Sequence, residues 1–95
     1  MPKGYLIARA VVTDPAAWAR YAAAATEAQK KYGARILARG GRTEVVEGEG
    51  RARNIVLEFD SFEQARAYAH SPEYAEAKKL RHGAGVLDMV LVEGP

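Results

Sequence analysis

Two dipeptides in this sequence, Asp14-Pro15 and Ser71-Pro72, combine a helix-capping residue with a proline. Each is typical of a helix start, so together they constrain where helices can begin. The side chain of Asp or Ser accepts a hydrogen bond from a free amide at the start of a helix, and Pro fits the first helical position, where its missing amide proton is not needed. After Pro15, apolar residues recur at helical spacing until Gly33, a residue type that commonly ends helices. The pattern predicts a helix that begins at Pro15 and ends at Gly33.

A second helical stretch begins after Asp60-Ser61, where Gln64 stands three residues beyond the serine, the spacing of a capping box. Ser71-Pro72 interrupts this stretch and starts the helix again. We expect the renewed helix to extend to about His82 and to end before Gly83.

The remaining segments are rich in β-branched and aliphatic residues, which predicts strands. They are Gly4–Thr13, Ala34–Arg39, Thr43–Glu47, Asn54–Phe59 and Val86–Val92. We expect the second and third segments to form one long strand with a bulge at Gly40-Gly41, because Gly48-Glu49-Gly50 supplies a hairpin turn just beyond them. The order of elements is then strand, helix, strand, strand, helix, strand.

This order predicts an α+β protein with the ferredoxin-like βαββαβ arrangement. Two right-handed β-α-β crossovers around a hairpin give a four-stranded antiparallel sheet with both helices on one face. A chain of 95 residues has the size of one domain, so we expect residues 1–95 to form a single domain.

The first and last strands carry apolar residues on both of their faces. Leu6 alternates with Ile7 on the first strand, and Leu91 alternates with Val90 on the last. The helices can cover only one face, and an exposed apolar face of this size is an association surface. We therefore expect a homodimer in which two sheets pack through these faces, as in a dimeric α/β barrel.

Composition and charge exclude several classes of partner. The 14 basic and 12 acidic residues are interspersed, whereas nucleic-acid binding needs basic residues gathered on one face. No apolar run approaches the roughly 20 residues that span a bilayer, and the first residues lack the pattern of a secretory leader. We expect a cytoplasmic protein that binds neither nucleic acid nor membrane.

The sequence also favours a protein without metal or cofactor. It contains no Cys, which removes thiolate ligands and nucleophiles. Its two histidines, His70 and His82, stand alone, while a metal site needs three or four converging ligands.

The residues from Lys3 to Gly94 resemble a known family. The resemblance rests on KGYLIARAVVTDP, KYGARILARGG, EGEGRAR with IVLEF, SPEY with Arg81, and LVEG. This combination is similar to the family called domain of unknown function 1330, which resembles the dimeric α/β-barrel superfamily. That superfamily contains cofactor-independent monooxygenases, muconolactone-isomerase-like enzymes and haem enzymes. Relatives often carry His after the RGGR motif, where this chain has Thr43.

Alternation predicts a charged cluster inside the expected dimer. It places Arg9, Glu58 and Asp88 on the sheet face without helices, and Arg39, in phase with Leu37, is expected to join them. Buried charges need partners. One interpretation is a ligand pocket in which an arginine holds a carboxylate or enolate and Glu58 or Asp88 accepts a proton. The other is a structural set of ion pairs, with Arg39 paired to Glu58.

Further candidate ligand-binding residues lie beside Arg39 and on the last helix. Gly40 and Gly41 have no side chains, which lets a small molecule approach the backbone. Tyr74 and Arg81, which belong to the motifs of the resemblance, present a phenol and a cation seven residues apart, on one face of a helix. Their alternative role is an ordinary solvated helix face.

Three functions fit this sequence. The first is a small enzyme without cofactor, monooxygenase-like or isomerase-like, that acts on an organic anion bound between the sheet and the helices. The second is a dimer that binds such a small molecule without catalysis. The third is a structural or interaction dimer.

Overall fold

The computed structural model describes residues 2–95. Its elements follow in the order β1 (Gly4–Val12), α1 (Pro15–Lys31), β2 (Arg35–Arg39), β3 (Arg53–Phe59), α2 (Phe62–Ala69), α3 (Pro72–Lys79) and β4 (Gly85–Glu93). The four strands form one antiparallel sheet in the order β2-β3-β1-β4. This is the ferredoxin-like arrangement, and the prediction of the fold class is confirmed.

Serine and aspartate side chains begin all three helices, as the sequence predicts. Asp14 Oδ1 accepts a hydrogen bond from the Ala17 amide at 3.2 Å, and Ser61 Oγ accepts one from the Gln64 amide at 3.1 Å. Ser71 Oγ accepts from the Tyr74 amide at 3.0 Å and donates to the Tyr68 carbonyl at 2.7 Å. Ser71 is buried, so its hydroxyl joins the end of α2 to the start of α3 inside the protein.

Two predicted boundaries were wrong. α3 ends at Lys79, because the amides of Leu80, Arg81 and His82 bond to carbonyls only three residues back in a tightened turn. β2 ends at Arg39, and residues 40–52 form a loop. Thr43–Glu47 is not a strand because β3 begins only at Arg53 and leaves that segment without a partner strand.

The bulge lies inside β2 and not at Gly40-Gly41. Ile36 pairs with Leu57, but Ala38 pairs with Val56, so Leu37 is an extra residue in the ladder. The residues after Leu37 therefore point to the opposite face from the one that simple alternation predicts.

The helices cover one face of the sheet and enclose the core. Leu6 and Ala8 of β1 and Phe59 of β3 are buried there against Trp18 of α1 and Tyr68 of α2. The opposite face, which we call the open face, carries charged side chains of β1, β3 and β4 and an apolar set formed by Ile7, Val11, Val56, Val86, Val90 and Val92. Among residues 2–95, no helix is both long and apolar enough to cross a bilayer.

Candidate functional site

A cavity of about 390 Å³ lies between α3 and β4 on the helix-covered side of the sheet. We call it the α3–β4 cavity. Its polar lining consists of His70, Tyr74, Lys78 and Arg81, and its apolar lining of Ala69, Leu87, Met89 and Leu91. The structure therefore brings together Tyr74 and Arg81, two of the residues that the sequence indicates, and gives them an apolar wall.

Local structure explains how these side chains meet. The Ser71 cap and Pro72 begin α3 so that Tyr74 lies on its buried side, and Lys78 follows one turn later on the same side. Arg81 belongs to the tightened turn after α3. The apolar wall consists of alternate residues of β4, because every second side chain of a strand points to the same face.

Arg81, which lines this cavity, lies beside a pair of tyrosines. The Tyr21 and Tyr74 hydroxyl oxygens are 2.9 Å apart, within hydrogen-bond distance. The guanidinium carbon of Arg81 is 5.2 Å from the centre of the Tyr21 ring and 6.0 Å from that of Trp18, which are cation–π distances. α1 and α3 are thereby joined through the cation and the aromatic rings.

The buried phenols of Tyr21 and Tyr68 stay neutral at physiological pH. Burial raises the pKa of Tyr21, and the neighbouring Tyr74 raises it further. Burial also raises the pKa of Tyr68 to about 12. For Arg81 itself, burial alone would lower the pKa, but the adjacent Tyr74 and Tyr21 more than offset that effect, so the pKa is raised. The site therefore combines a permanent cation with neutral hydrogen-bonding groups.

No carboxylate neutralises the cations of this cavity in the part of the chain that the structure describes. Within residues 2–95, neither Arg81 nor Lys78 forms an ion pair. The Nε atom of Arg81 is buried and has no hydrogen-bond partner. Leaving a buried donor unpaired costs about 1–3 kcal/mol, so the cavity is suited to a ligand that accepts this hydrogen bond.

Arg39 lies on the helix-covered face, and the prediction that it joins Arg9, Glu58 and Asp88 was wrong. The bulge at Leu37 places Arg39 opposite Ile55, and its Nη1 donates to Thr26 Oγ1 of α1 at 3.3 Å. The expected partner of Glu58 was wrong as well. Glu58 accepts a hydrogen bond from Arg35 Nε at 2.8 Å.

Glu58, Arg9 and Asp88 lie on the open face, as the sequence predicts, but outside the α3–β4 cavity. The Arg35 guanidinium beside Glu58 holds the pKa of that carboxyl below its usual range. Asp88 Oδ2 is 2.8 Å from Arg51 Nη2, and Arg9 Nη2 donates to the Glu49 carbonyl at 3.3 Å. The catalytic role of the two acids stays a prediction.

The glycines that follow Arg39 stand in the open. Gly40 has a φ of +70°, and at both Gly40 and Gly41 an added Cβ would meet nothing within 4 Å. Neither glycine lines the α3–β4 cavity, so their role in binding also stays a prediction.

Sequence reasoning missed His70 and the apolar wall of the cavity. His70 is the C-cap of α2 and comes directly before the SPEY motif, which is the signal that relates it to Tyr74. Leu87, Met89 and Leu91 look like ordinary core residues in the sequence, and only the incomplete cover over β4 leaves them half-buried.

Residues 2–95 contain no group of three or more His, Asp and Glu side chains placed to hold a metal ion. The expectation of a protein without metal or cofactor stays a prediction.

Comparisons with known proteins agree with this description. A family profile described as "Domain of unknown function (DUF1330)" matches residues 3–95. No curated protein matches the chain in sequence.

Three solved structures are similar to this chain. A protein of unknown function from Rhodopseudomonas palustris has a TM-score of 0.77 and 16% identity, over 99% of this chain and 83% of that one. A dimeric ferredoxin-like protein of unknown function from Bacteroides fragilis has a TM-score of 0.60 and 21% identity, over 96% and 95%. A Nitrosomonas europaea protein, proposed to be an antibiotic biosynthesis monooxygenase, has a TM-score of 0.57 and 14% identity, over 97% and 89%. At these identities the similarity establishes the fold.

Proposed function

The chain belongs to the DUF1330 family, whose members are domains of unknown function, and on that premise we propose that it binds a small organic anion with an apolar body in the α3–β4 cavity. The observation that carries this proposal is Arg81, a cavity-lining cation with no acidic partner in residues 2–95 and with a buried, unpaired Nε. Arginine holds carboxylates through two parallel hydrogen bonds, which gives both affinity and orientation.

The lining of the cavity defines the class of ligand. Arg81 and Lys78 suit a carboxylate or enolate, and Tyr74 adds a phenol hydroxyl. Leu87, Met89 and Leu91 form an apolar surface along β4 that suits a hydrocarbon or aromatic body. An amphiphilic carboxylate satisfies both halves of the cavity.

We expect affinity to rise with the size of the apolar body and to depend on Arg81. Each methylene group buried against β4 contributes about 0.8 kcal/mol, or roughly fourfold in Kd, so that the order of affinity is acetate, butanoate, benzoate. Arg81→Met removes the charged hydrogen bonds and weakens benzoate binding by about tenfold or more. Isothermal titration calorimetry on the purified protein measures both effects.

The matched control is Lys79→Met, because Lys79 lies on the same helix but pairs with Glu76 and does not line the cavity. This variant should bind benzoate as the unchanged protein does. Equal affinity for acetate and benzoate would contradict the role of the β4 wall. Equal losses in the two variants would contradict the role of Arg81.

Proton transfer on the bound anion is a second candidate function, favoured by the presence of His70 in the same cavity. An imidazole exchanges protons readily near neutral pH. With a 2-oxo acid, His70 would take a proton from the carbon beside the carbonyl, and the electron pair of that C–H bond would form an enolate. The enolate oxygen would be stabilised by the cations and by Tyr74, and return of a proton to carbon would restore the 2-oxo acid.

We expect the protein to catalyse exchange of these carbon-bound protons in D2O, measured as loss of the methylene signal of 2-oxobutanoate by proton NMR. His70→Gln should slow the exchange about a hundredfold, because a general base contributes roughly 10²–10⁴-fold. His82→Gln is the control, since His82 does not line the cavity. If exchange is no faster with the protein than in buffer, the result contradicts proton transfer and leaves binding without catalysis as the function.

We also propose that the protein is a homodimer whose open faces pack on each other. Val11, Val86, Val90 and Val92 are large apolar side chains exposed on this face. A similar protein, from Bacteroides fragilis, is described as dimeric and ferredoxin-like. A second copy covers the open face without requiring any further partner.

A further inference from the structure

A second pair of cations lies on the helix-covered side of the sheet, on β2 and β3, at the opposite side of the sheet from β4. Arg39 of β2 and Arg53 of β3 face α1 across a groove that also contains Thr26, Gln29 and Ile55. We call it the Arg39–Arg53 groove. It shares no cation with the α3–β4 cavity.

Strand register places the two arginines as diagonal neighbours. Arg39 pairs with Ile55, and Arg53 is two residues before Ile55 on the same face of β3. Diagonal neighbours across two antiparallel strands are about 7–8 Å apart, within reach of two long side chains that converge on one ligand. The bulge at Leu37 is what brings Arg39 to this face.

Neither arginine is neutralised within the described residues 2–95. No carboxylate forms an ion pair with Arg39 or Arg53. The only side-chain hydrogen bond of Arg39 in this part of the chain goes to Thr26 Oγ1 at 3.3 Å. Two like charges held near each other without a counter-charge repel, so an anion placed between them is stabilised by both.

Arg53 has a buried hydrogen-bond donor that a ligand in the groove could satisfy. Its Nε is buried and has no hydrogen-bond partner in residues 2–95, and Arg53 lines the groove. A buried unpaired donor on a charged group is costly. A bound oxyanion that accepts from Arg53 removes that cost and neutralises the pair.

We propose that the Arg39–Arg53 groove is a second anion site that takes a single carboxylate group. The groove has a volume of about 30 Å³, room for one or two water-sized groups. That size suits a planar carboxylate better than a tetrahedral phosphate, and each guanidinium can bond one carboxylate oxygen. Trp18, Tyr21 and Ile55 also line the groove, so the carbon end of a small carboxylate such as acetate can pack against apolar side chains.

The two sites are separated by the aromatic side chains of α1. Trp18 and Tyr21 line the Arg39–Arg53 groove, and Arg81 lies at cation–π distance from both rings. Trp18 and Tyr21 do not line the α3–β4 cavity, and the two sites share no lining residue. The backbone amides around the two sites are therefore different. NMR of the ¹⁵N-labelled protein distinguishes binding at one site from binding at the other.

The experiment is a titration of the full chain with acetate, followed by amide chemical shifts. We expect saturable shifts at residues 38–41 and 53–55 and at Thr26. Arg53→Met should weaken this binding by about tenfold. Arg39→Met, at an exposed position where folding is not at risk, should have an effect of the same size.

Two control variants test whether acetate binding depends on Arg39 and Arg53 in particular. Arg42→Met removes an exposed arginine that does not line the groove and should leave acetate binding at residues 38–41 unchanged. Arg81→Met should also leave it unchanged, which separates this site from the proposed function.

Three results would overturn the proposal. The first is shifts confined to residues 81–91. The second is unchanged binding in both Arg53→Met and Arg39→Met, or an equal loss in Arg42→Met. The third is inorganic phosphate binding more tightly than acetate at residues 38–41, which would contradict the size argument.

Discussion

Val90→Asp is expected to convert the protein from a dimer into a monomer. Val90 is 53% exposed in the single chain and lies opposite Ile7 in the middle of the open face. In the proposed dimer this position is covered, so the new carboxylate would be buried without a partner, at a cost of several kcal/mol. In the monomer the same carboxylate faces water, so the fold itself tolerates it.

Light scattering at micromolar concentration measures this change directly. The unchanged chain should have twice the protomer mass of 10.3 kDa, and the variant a mass near 10.3 kDa. The melting temperature of the unchanged protein should rise with concentration, and that of the variant should not. Leu80→Asp, at an exposed leucine just after α3 and off the open face, is the control and should stay dimeric. A monomeric unchanged protein would contradict the proposed assembly.

Gly4→Ala is expected to destabilise the fold by about 3 kcal/mol or more. Gly4 is buried at the start of β1, directly below the beginning of α2. A Cβ at this position would collide with the Ser61 carbonyl oxygen and would stand 2.7 Å from Phe62 Cα. Both atoms belong to the backbone, and Ser61 caps α2, so relief of the collision requires the helix to move away from the sheet.

Gly41→Ala is the matched control for this prediction. An added Cβ at Gly41 meets nothing within 4 Å, and the φ angle of Gly41 is not positive. The control should change the free energy of unfolding by less than about 1 kcal/mol. The change should be stabilising, because alanine reduces the conformational freedom of the unfolded chain. Urea unfolding at one protein concentration compares the three proteins. A similar stability for Gly4→Ala and Gly41→Ala would show that α2 adjusts to the extra methyl group.

The helix starts and most strands were predictable because their signals are local. Asp14, Ser61 and Ser71 each bond to an amide three residues away, so the sequence around each one is sufficient. The open face of β1 and β4 was predictable for a similar reason, since alternation along an uninterrupted strand assigns each side chain to a face. Arg9 and Asp88 therefore lie where alternation places them.

The candidate site was predictable only in part. Tyr74 and Arg81 came from a motif and helical spacing, and the structure places both in the α3–β4 cavity. The sequence did not indicate that His70 and the β4 wall line the cavity. They do so because α2 and α3 pack without covering β4 completely. That packing depends on contacts between segments far apart in sequence.

By itself, the sequence determined the order of the elements, the helix caps and the face of every residue on a regular strand, because these follow from local hydrogen bonds and a period of two. Only the tertiary structure decided which face Arg39 occupies. Without the bulge, Arg39 would share the open face with Glu58, but the extra residue at Leu37 reverses the alternation and turns Arg39 toward α1 and Arg53. A bulge arises from the pairing of β2 with β3, and one displaced residue reverses every side chain beyond it.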